Sequence, residues 1–341
     1  RKIKYHSLGN YTGSVTLEIN RSGRSHRIDI QRARDTWFKT SWLLDRNQCG
    51  PVMAESRYLH FKQQPLDFIF QKSFTGKAAQ YGINLRRTTP SGIKSAIIRE
   101  KGVNGDREMA FMMHLAGMDV KDVHMTDLIS GRETLDDVNL IVFVGGFSNS
   151  DVLGSAKGWA GAFLFNEMAK IALNRYYARK DTLSLGVCNG CQLMVELDLV
   201  TPDHKVKPRM LHNASGKFES AFLSVDITNN NSIMLRTLEG SRLGIWVAHG
   251  EGRFKLPYPE DHYNVSMKYS YSDYPGNPNG SDYSVAGICS GDGRHLAIMP
   301  HLERSIYPWN WAFYPKNREQ DEITPWIEAF VNAREWIRSR V

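Results

Sequence analysis

A nucleophile elbow is the sharpest chemical signal in the sequence. Residues 186–190 read Gly-Val-Cys-Asn-Gly and continue an apolar run, residues 183–187, that is typical of a buried strand. Glycines on both sides of Cys188 permit the strained turn that lifts a nucleophile above the carboxyl edge of a sheet. The start of the following helix would favour the thiolate, and the backbone amide of Asn189 would be a donor for an oxyanion. The pattern predicts a cysteine nucleophile suited to amide cleavage.

A general base for this thiol is predicted at His301. His301 follows an apolar segment, residues 296–299, that is typical of a strand, so it should lie on a loop at a sheet edge. Glu303, two residues further on, could accept a hydrogen bond from the imidazole and fix its tautomer. We therefore expect the chain order Cys188, His301, Glu303.

A second oxyanion donor is predicted where another apolar strand, residues 140–144, runs into Gly145-Gly146. In the same sheet, a free amide at this turn would face the nucleophile; the simpler interpretation is a tight turn. The Cys188-x-x-Cys191 spacing also allows a redox pair or half a zinc site. The sequence contains no second pair of this kind, so we predict no metal and a buried packing thiol for Cys191.

The elements around these residues indicate two kinds of structure. From Lys94 onwards, short apolar strands alternate with helical stretches, which predicts an α/β fold with a mainly parallel open sheet and helices on both faces. Residues 1–50 instead indicate a small α+β segment, with two strands and a helix over about residues 31–46 that buries Trp37 and Leu44. Residues 51–93 are rich in turn signals and are predicted to be a connector before the domain of residues 94–341.

Composition restricts the function classes. The 341 residues are 41% hydrophobic and 23% charged, as in ordinary globular proteins, and contain no apolar run long enough for a membrane span. Basic residues exceed acidic ones, 43 to 36, but are dispersed without an interleaved aromatic stripe, so we expect no nucleic-acid partner and no membrane association. Four unevenly spaced cysteines favour a reducing compartment, and we expect a cytoplasmic protein. The start at Arg1, without an initiator Met, suggests a piece of a longer polypeptide.

Taken together, the motifs resemble the class I glutamine amidotransferases, and within them the glutaminase domain of the large, single-chain formylglycinamide ribonucleotide amidotransferases of purine synthesis. The motifs that carry the resemblance lie at residues 145–148, 151–160, 186–192, 212–219, 248–252, 274–281 and 300–304. The resemblance covers about residues 94–341, and residues 34–49 are similar to the end of that family's synthetase portion. It implies a flavodoxin-like amidotransferase domain preceded by the C-terminal end of a synthetase.

Site roles follow from the resemblance, residue by residue. It implies that Cys188 forms a glutamyl thioester and releases ammonia, with His301 as general base and acid and Glu303 as the orienting carboxylate. It further implies that the amides of Gly146 and Asn189 form the oxyanion hole. The glutamine-binding positions implied are Gln192, Gly250 and Glu251.

Two features of the sequence limit this resemblance. Leu302 stands where the family usually has proline between the histidine and the glutamate, so the turn loses a restraint on φ. The chain also lacks a phosphate-binding G-x-x-x-x-G-K-[ST] loop and a carboxylate cluster for magnesium. We therefore expect no cofactor in this chain, glutamine as its substrate, and ATP and magnesium in a synthetase portion that acts as its partner.

Two other functions remain open from the sequence. The same cysteine would suit a peptidase or hydrolase on a similar sheet, although hydrolase triads place the acid before the histidine. The domain could also be a catalytically silent module that only docks onto a synthetase.

Overall fold

The computed structural model describes residues 4–84 and 86–340. Its packing divides the chain into two compact units, Arg1–Leu59 and His60–Val341. The predicted division at residues 50 and 93 concerns functional origin as well as packing, and it stays a prediction. Residues 1–3 and 341, which belong to its outer segments, lie outside the described residues.

The first unit is a small α+β segment. A hairpin of β1 (Thr16–Arg21) and β2 (Arg24–Asp29) turns at Ser22-Gly23, where both residues have positive φ. Helix α1 (Ile30–Gln48) follows at once, because the Asp29 side chain accepts a hydrogen bond from the backbone amide of Arg32 at 2.9 Å and caps the helix. Helix α2 (Gly50–His60) completes the segment.

The prediction that Trp37 and Leu44 are buried in this helix is wrong. Their side chains are 79% and 58% exposed. The face of α1 that meets α2 instead carries Arg34, which stacks on Tyr58 and donates to its carbonyl oxygen. Trp42 also contacts Tyr58. Polar and aromatic contacts therefore pack α1 against α2, and Trp37 and Leu44 lie outside these contacts.

Part of the segment predicted to be a connector packs on the second unit's sheet. The backbone amide of Ile69 donates to the carbonyl of Arg242 at 2.9 Å. Phe68 and Phe70 meet the ring of Trp311 edge to face. Irregular backbone without periodicity is thus held by a few aromatic side chains, which no periodic pattern reveals.

One mixed sheet dominates the second unit. The strands of this unit are β3 (Lys94–Arg99), β4 (Asp119–His124), β5 (Leu140–Phe143), β6 (Leu183–Val187), β7 (Arg209–Leu211), β8 (Glu219–Ile227), β9 (Arg242–His249), β10 (Arg253–Lys255), β11 (Asn264–Tyr269), β12 (Val285–Cys289) and β13 (His295–Ile298). In the described part of the chain, the strands of the large sheet follow the order β4-β3-β5-β6-β13-β12-β11-β8-β9. Neighbours from β4 to β13 are parallel and those from β13 to β9 are antiparallel, so the sheet is not mainly parallel as predicted. A separate pair joins β7 and β10.

Helices cover both faces of the parallel half. The helices are α3 (Asp106–Leu115), α4 (Met125–Ile129), α5 (Lys157–Phe165), α6 (Glu167–Ala178), α7 (Asn189–Glu196) and α8 (Ile327–Arg338). The crossover from β3 to β4 runs in the opposite direction to the crossovers from β5 to β6 and from β6 to β13. Right-handed connections therefore place α3 on one face and α5, α6 and α7 on the other. The predicted α/β class is confirmed.

Every residue of β5 and β6 is buried, which confirms the prediction that their continuous apolar sequences form buried strands. Because β5, β6 and β13 are parallel neighbours, the loops that follow them meet at one edge of the sheet. Within the described residues, no helix is both long and apolar enough to pass through a bilayer.

Candidate active site

Cys188 occupies a strained turn between β6 and α7. Its backbone lies at φ 52° and ψ −108°, outside the regions that residues with side chains normally adopt. A Cβ on Gly186 would lie 2.5 Å from the Gly190 carbonyl oxygen, and one on Gly190 would lie 2.0 Å from the carbonyl oxygen of Phe143. Both glycines are therefore required by close approach of the backbone, and the turn has the geometry of a nucleophile elbow.

The histidine follows the neighbouring strand. The amide of Cys188 donates to the carbonyl of Ile298 at 3.0 Å, which ties the elbow to the end of β13. Three residues later, the amide of His301 donates to the carbonyl of Trp246 at 2.8 Å. Leu302, between the histidine and the glutamate, is fully buried and packs in the core.

The structure brings Cys188, His301 and Glu303 together. His301 Nδ1 lies 2.6 Å from Glu303 Oε1, and both side chains are almost completely buried. In the part of the chain described, the buried Nε2 of His301 has no hydrogen-bond partner, and Cys188 contributes to the electrostatic environment of the ring. A Cβ on Gly145 would lie 2.7 Å from His301 Cε1 and 3.4 Å from Cys188 Cβ, so this glycine lets the ring approach the cysteine.

Electrostatics favour a charged His301. Burial alone lowers its pKa, but the interactions of the ring with Glu303 and with Cys188 outweigh burial and raise the pKa to about 9. His301 is therefore protonated at neutral pH. A protonated imidazole beside the sulfur can act as a general acid.

The two predicted oxyanion donors flank the cysteine. Gly146 follows β5 with φ 144°, and a Cβ there would lie 2.3 Å from Val103 Cα, so only glycine fits. Asn189 is the first residue of α7, where its backbone amide has no partner inside the helix. Its side chain accepts from the Ser148 amide at 3.1 Å and donates to Gln192 Oε1 at 3.0 Å, which ties the two loops together.

A cavity of about 190 Å³ opens beside the sulfur. Its volume is below the ~300–1,000 Å³ of drug-sized ligand sites and suits a single amino acid. Five of the predicted site residues line it: Gly146, Cys188, Gln192, Gly250 and Glu251. His301, Glu303 and Asn189 do not line the cavity, although His301 and Glu303 contact each other.

The glutamine-binding prediction gains geometry here. Gln192 Nε2 donates to the carbonyl of Glu251 at 2.7 Å, and Glu251 Oε2 accepts from the amide of Ser155 at 3.2 Å. Burial and the nearby Glu251 carboxylate raise the pKa of Asp151, which also lines the cavity. The cavity thus has an acidic wall beside a fixed carboxamide.

Sequence reasoning missed Asp151 and His249 as wall residues. Both lie in motifs that carried the family resemblance, at residues 151–160 and 248–252. Their types alone gave no signal, because burial beside the thiol depends on how loops from distant strands meet. Burial and the charge of His301 lower the pKa of His249 to about 3.

A larger cavity, about 580 Å³, contains none of the predicted site residues. It is lined by Tyr177, His204, Cys289 and His295 among others, and His295 and Cys289 lie at the end of the sheet opposite the elbow. Within the described residues, no group of three or more His, Cys, Asp or Glu side chains is arranged to hold a metal ion.

Comparison with known proteins gives a consistent set of relatives. A family model described as a CobB/CobQ-like glutamine amidotransferase domain matches residues 93–337. The chain is 42% identical to the probable phosphoribosylformylglycinamidine synthase, chloroplastic/mitochondrial, of Arabidopsis thaliana over 97% of this chain. It is 42% identical to the phosphoribosylformylglycinamidine synthase of Homo sapiens over 90% of this chain. The chain spans only 25% of each of these relatives.

A solved structure shares the fold. The structure of PurLQS from Thermotoga maritima matches with a TM-score of 0.54 and 25% sequence identity. The match covers 73% of this chain and 98% of that chain.

Proposed function

Because the chain belongs to the family of CobB/CobQ-like glutamine amidotransferase domains, we propose that it hydrolyses glutamine at Cys188 and supplies the ammonia to a phosphoribosylformylglycinamidine synthase. The membership confirms the resemblance predicted from the sequence. The observation that carries the proposal is the buried His301–Glu303 pair behind a strained cysteine, with a cavity of amino-acid size beside the sulfur. The relatives of which this chain spans a quarter carry the synthase name.

The proposed first step forms a thioester. The Cys188 thiolate attacks the carboxamide carbon of glutamine, and the oxygen becomes an oxyanion that the amides of Gly146 and Asn189 stabilise. His301 then gives its proton to the nitrogen as the C–N bond breaks, so ammonia leaves and the imidazole becomes neutral.

The second step returns the enzyme to its starting state. Neutral His301 takes a proton from water as the oxygen attacks the thioester carbon, and the C–S bond breaks to give glutamate and the thiolate. Glu303 keeps Nδ1 protonated in both steps, so that Nε2 faces the reaction. No redox partner or metal is needed for this balance.

Substrate recognition is assigned to the cavity wall. We propose that Asp151 and Glu251 attract the α-ammonium group of glutamine, while Gln192 and the backbone at Gly250 contact the rest of the substrate. The support is the placement of all four on one small cavity that includes the sulfur.

The synthase reaction itself belongs to the proposal. Formylglycinamide ribonucleotide would be activated with ATP and magnesium by a synthetase portion outside this chain and would then accept the ammonia. We further propose a cytoplasmic location, which is supported by four cysteines that form no disulfide in the structure described. The Arabidopsis relative is named chloroplastic/mitochondrial, so fractionation of the source cells is the test.

Labelling with a glutamine-analogue alkylating agent tests the proposal. Cys188 should be labelled and protected by glutamine, while Cys191 and Cys289, both buried with raised pKa values, stay unlabelled. Cys49, which is more accessible, is the matched control for non-specific alkylation. Equal labelling of Cys49 and Cys188, or labelling that glutamine does not suppress, would overturn the proposal and favour a peptidase or a silent docking module.

A further inference from the structure

The His249 ring is buried at the cavity wall without a hydrogen-bond partner. It is 2% exposed, and neither Nδ1 nor Nε2 bonds to any protein group in residues 4–84 and 86–340. A buried polar atom that makes no hydrogen bond destabilises the fold, so two such atoms on one ring need an explanation. His249 lines the same cavity as Cys188, which makes the substrate the obvious partner.

The backbone holds this ring in place. His249 ends β9, paired with Glu219, and its carbonyl accepts from Asn213 Nδ2 at 2.7 Å. Asn213 also accepts from the amide of Gly252 at 3.0 Å, which closes the loop that follows. A Cβ on Gly252 would lie 2.5 Å from His249 Nδ1, so the ring packs directly on that glycine. The site is thus built, with both the strand end and the loop fixed.

The ring is neutral in its working state. Burial, followed by the positive charge of His301, lowers the pKa of His249 to about 3. A neutral imidazole has one N–H donor and one nitrogen that only accepts. It therefore offers hydrogen bonds at neutral pH without gaining or losing a proton.

One group of the substrate lacks a partner in the proposed mechanism. The carboxamide oxygen is assigned to the amides of Gly146 and Asn189, and His301 supplies the proton for the nitrogen. The N–H groups of that nitrogen still need an acceptor as it departs. An acceptor that cannot donate an acidic proton is suitable, because ammonia is a nucleophile only while it is unprotonated.

We propose that His249 is a further catalytic residue, whose neutral ring accepts a hydrogen bond from the departing nitrogen of glutamine and then from the released ammonia. In this step the S–C bond forms and the C–N bond breaks. The transferred proton moves from His301 to nitrogen, and His249 keeps its own proton throughout. The inference deepens the proposed function and rests on it.

Three variants of the full-length protein test the role: His249→Leu, His249→Asn and His249→Gln. The His249→Leu variant removes the hydrogen-bond acceptor. The His249→Asn variant keeps a polar group, but its side chain is shorter than the imidazole and should not reach the substrate nitrogen. The longer side chain of the His249→Gln variant should place an amide oxygen closer to that nitrogen. His295→Gln is the matched control, since His295 is also buried and neutral, with a pKa lowered to about 4, and bonds Ser184 away from the cysteine.

Glutamate release and glutamine-dependent product formation are measured beside product formation from added ammonium salt. The His249→Leu and His249→Asn variants should lower kcat for glutamate release about tenfold or more. Their KM for glutamine should change less than about threefold, because the lost hydrogen bond forms to the leaving nitrogen. The His249→Gln variant should keep part of the wild-type kcat, and product formation from ammonium salt should not change in any variant. His295→Gln should match the wild type.

Wild-type kcat in the His249 variants, or a loss confined to KM, would overturn this role. If the His249→Leu variant fails to fold, the role is tested by comparing the His249→Asn and His249→Gln variants. Equal kcat values in those two variants would overturn the role. A wild-type protein that releases no glutamate refutes the proposed function instead, so the two failures are distinguishable.

Discussion

Replacing Glu303 with glutamine removes one charge from the buried pair with little change in shape. His301 Nδ1 and Glu303 Oε1 lie 2.6 Å apart, and the two side chains are 1% and 0% exposed. The pKa of His301 is raised from 6.5 to about 9 although burial opposes the shift. At 1.36 kcal/mol per unit, the net stabilisation of the imidazolium is about 3 kcal/mol.

Most of this stabilisation should disappear in the variant, because Glu303 is the strongest of the attractive causes. We expect the pKa of His301 to fall by at least about one unit. In the proposed mechanism, protonated His301 is the form that protonates the leaving nitrogen, so activity should be lost as pH rises through that pKa. The alkaline limb of the wild-type profile should lie near pH 9 and should move to lower pH in Glu303→Gln. Loss of the fixed tautomer should also reduce kcat/KM near neutral pH, on the order of 100-fold.

The assay is glutamate release by the full-length protein from about pH 6 to about pH 10. Glu328→Gln makes the same chemical change at another buried carboxylate, one that bonds Tyr81 and Thr237, and it should leave the pH profile unchanged. A Glu303→Gln profile that superimposes on the wild type would refute the reasoning.

Three further substitutions separate the elbow, the triad and the packing thiol. Gly190→Ala places a Cβ 2.0 Å from the Phe143 carbonyl oxygen, so thermal melts should show a loss of at least about 2 kcal/mol, and an unchanged midpoint would contradict the close approach. Gly145→Ala places a Cβ 2.7 Å from His301 Cε1, so glutaminase activity should fall while the melting temperature changes little; full activity would show that the ring does not need this space. Cys191→Ala removes a fully buried thiol, so we expect about 1 kcal/mol of destabilisation in denaturant titrations but retained glutaminase activity, whereas loss of activity in a stable protein would make that thiol part of the chemistry.

Local sequence patterns sufficed for the elbow. Gly186 and Gly190 flank a cysteine after an apolar strand, which predicts a turn too tight for side chains at those two positions. In the structure, a Cβ on either glycine would clash with a backbone carbonyl oxygen. The pairing of His301 with Glu303 was also predictable from the sequence. The two residues lie two positions apart in the turn after a strand, which brings their side chains together.

The sheet could not be read as completely. Strand positions such as Val285–Cys289 were predicted from apolar composition. Strand direction depends on the connections: a short turn between β12 and β13 makes them antiparallel, whereas a long loop leads from β11 to its antiparallel neighbour β12. Composition carries no information on direction, so the predicted parallel character extended too far.

Residues whose role depends on distant loops were invisible in the sequence. His249 is one of 11 histidines, and although it lies in the motif at residues 248–252, its residue type does not show that the ring is buried at the cavity. Its burial arises because β9 ends beside the elbow and Gly252 packs on the ring. The prediction for Trp37 erred in the opposite way, because helical spacing predicted a buried side chain where the structure has one that is 79% exposed.

Trapping the acyl enzyme tests the central claim most directly. Full-length protein is mixed with glutamine, quenched in acid within the turnover time, digested and analysed by mass spectrometry. We predict a glutamyl adduct on the peptide that contains Cys188 and Cys191, which fragmentation assigns to Cys188 and which is absent from Cys188→Ala. Glutamate release without any adduct, or an adduct that persists in Cys188→Ala, would contradict the assignment of this cysteine as the nucleophile.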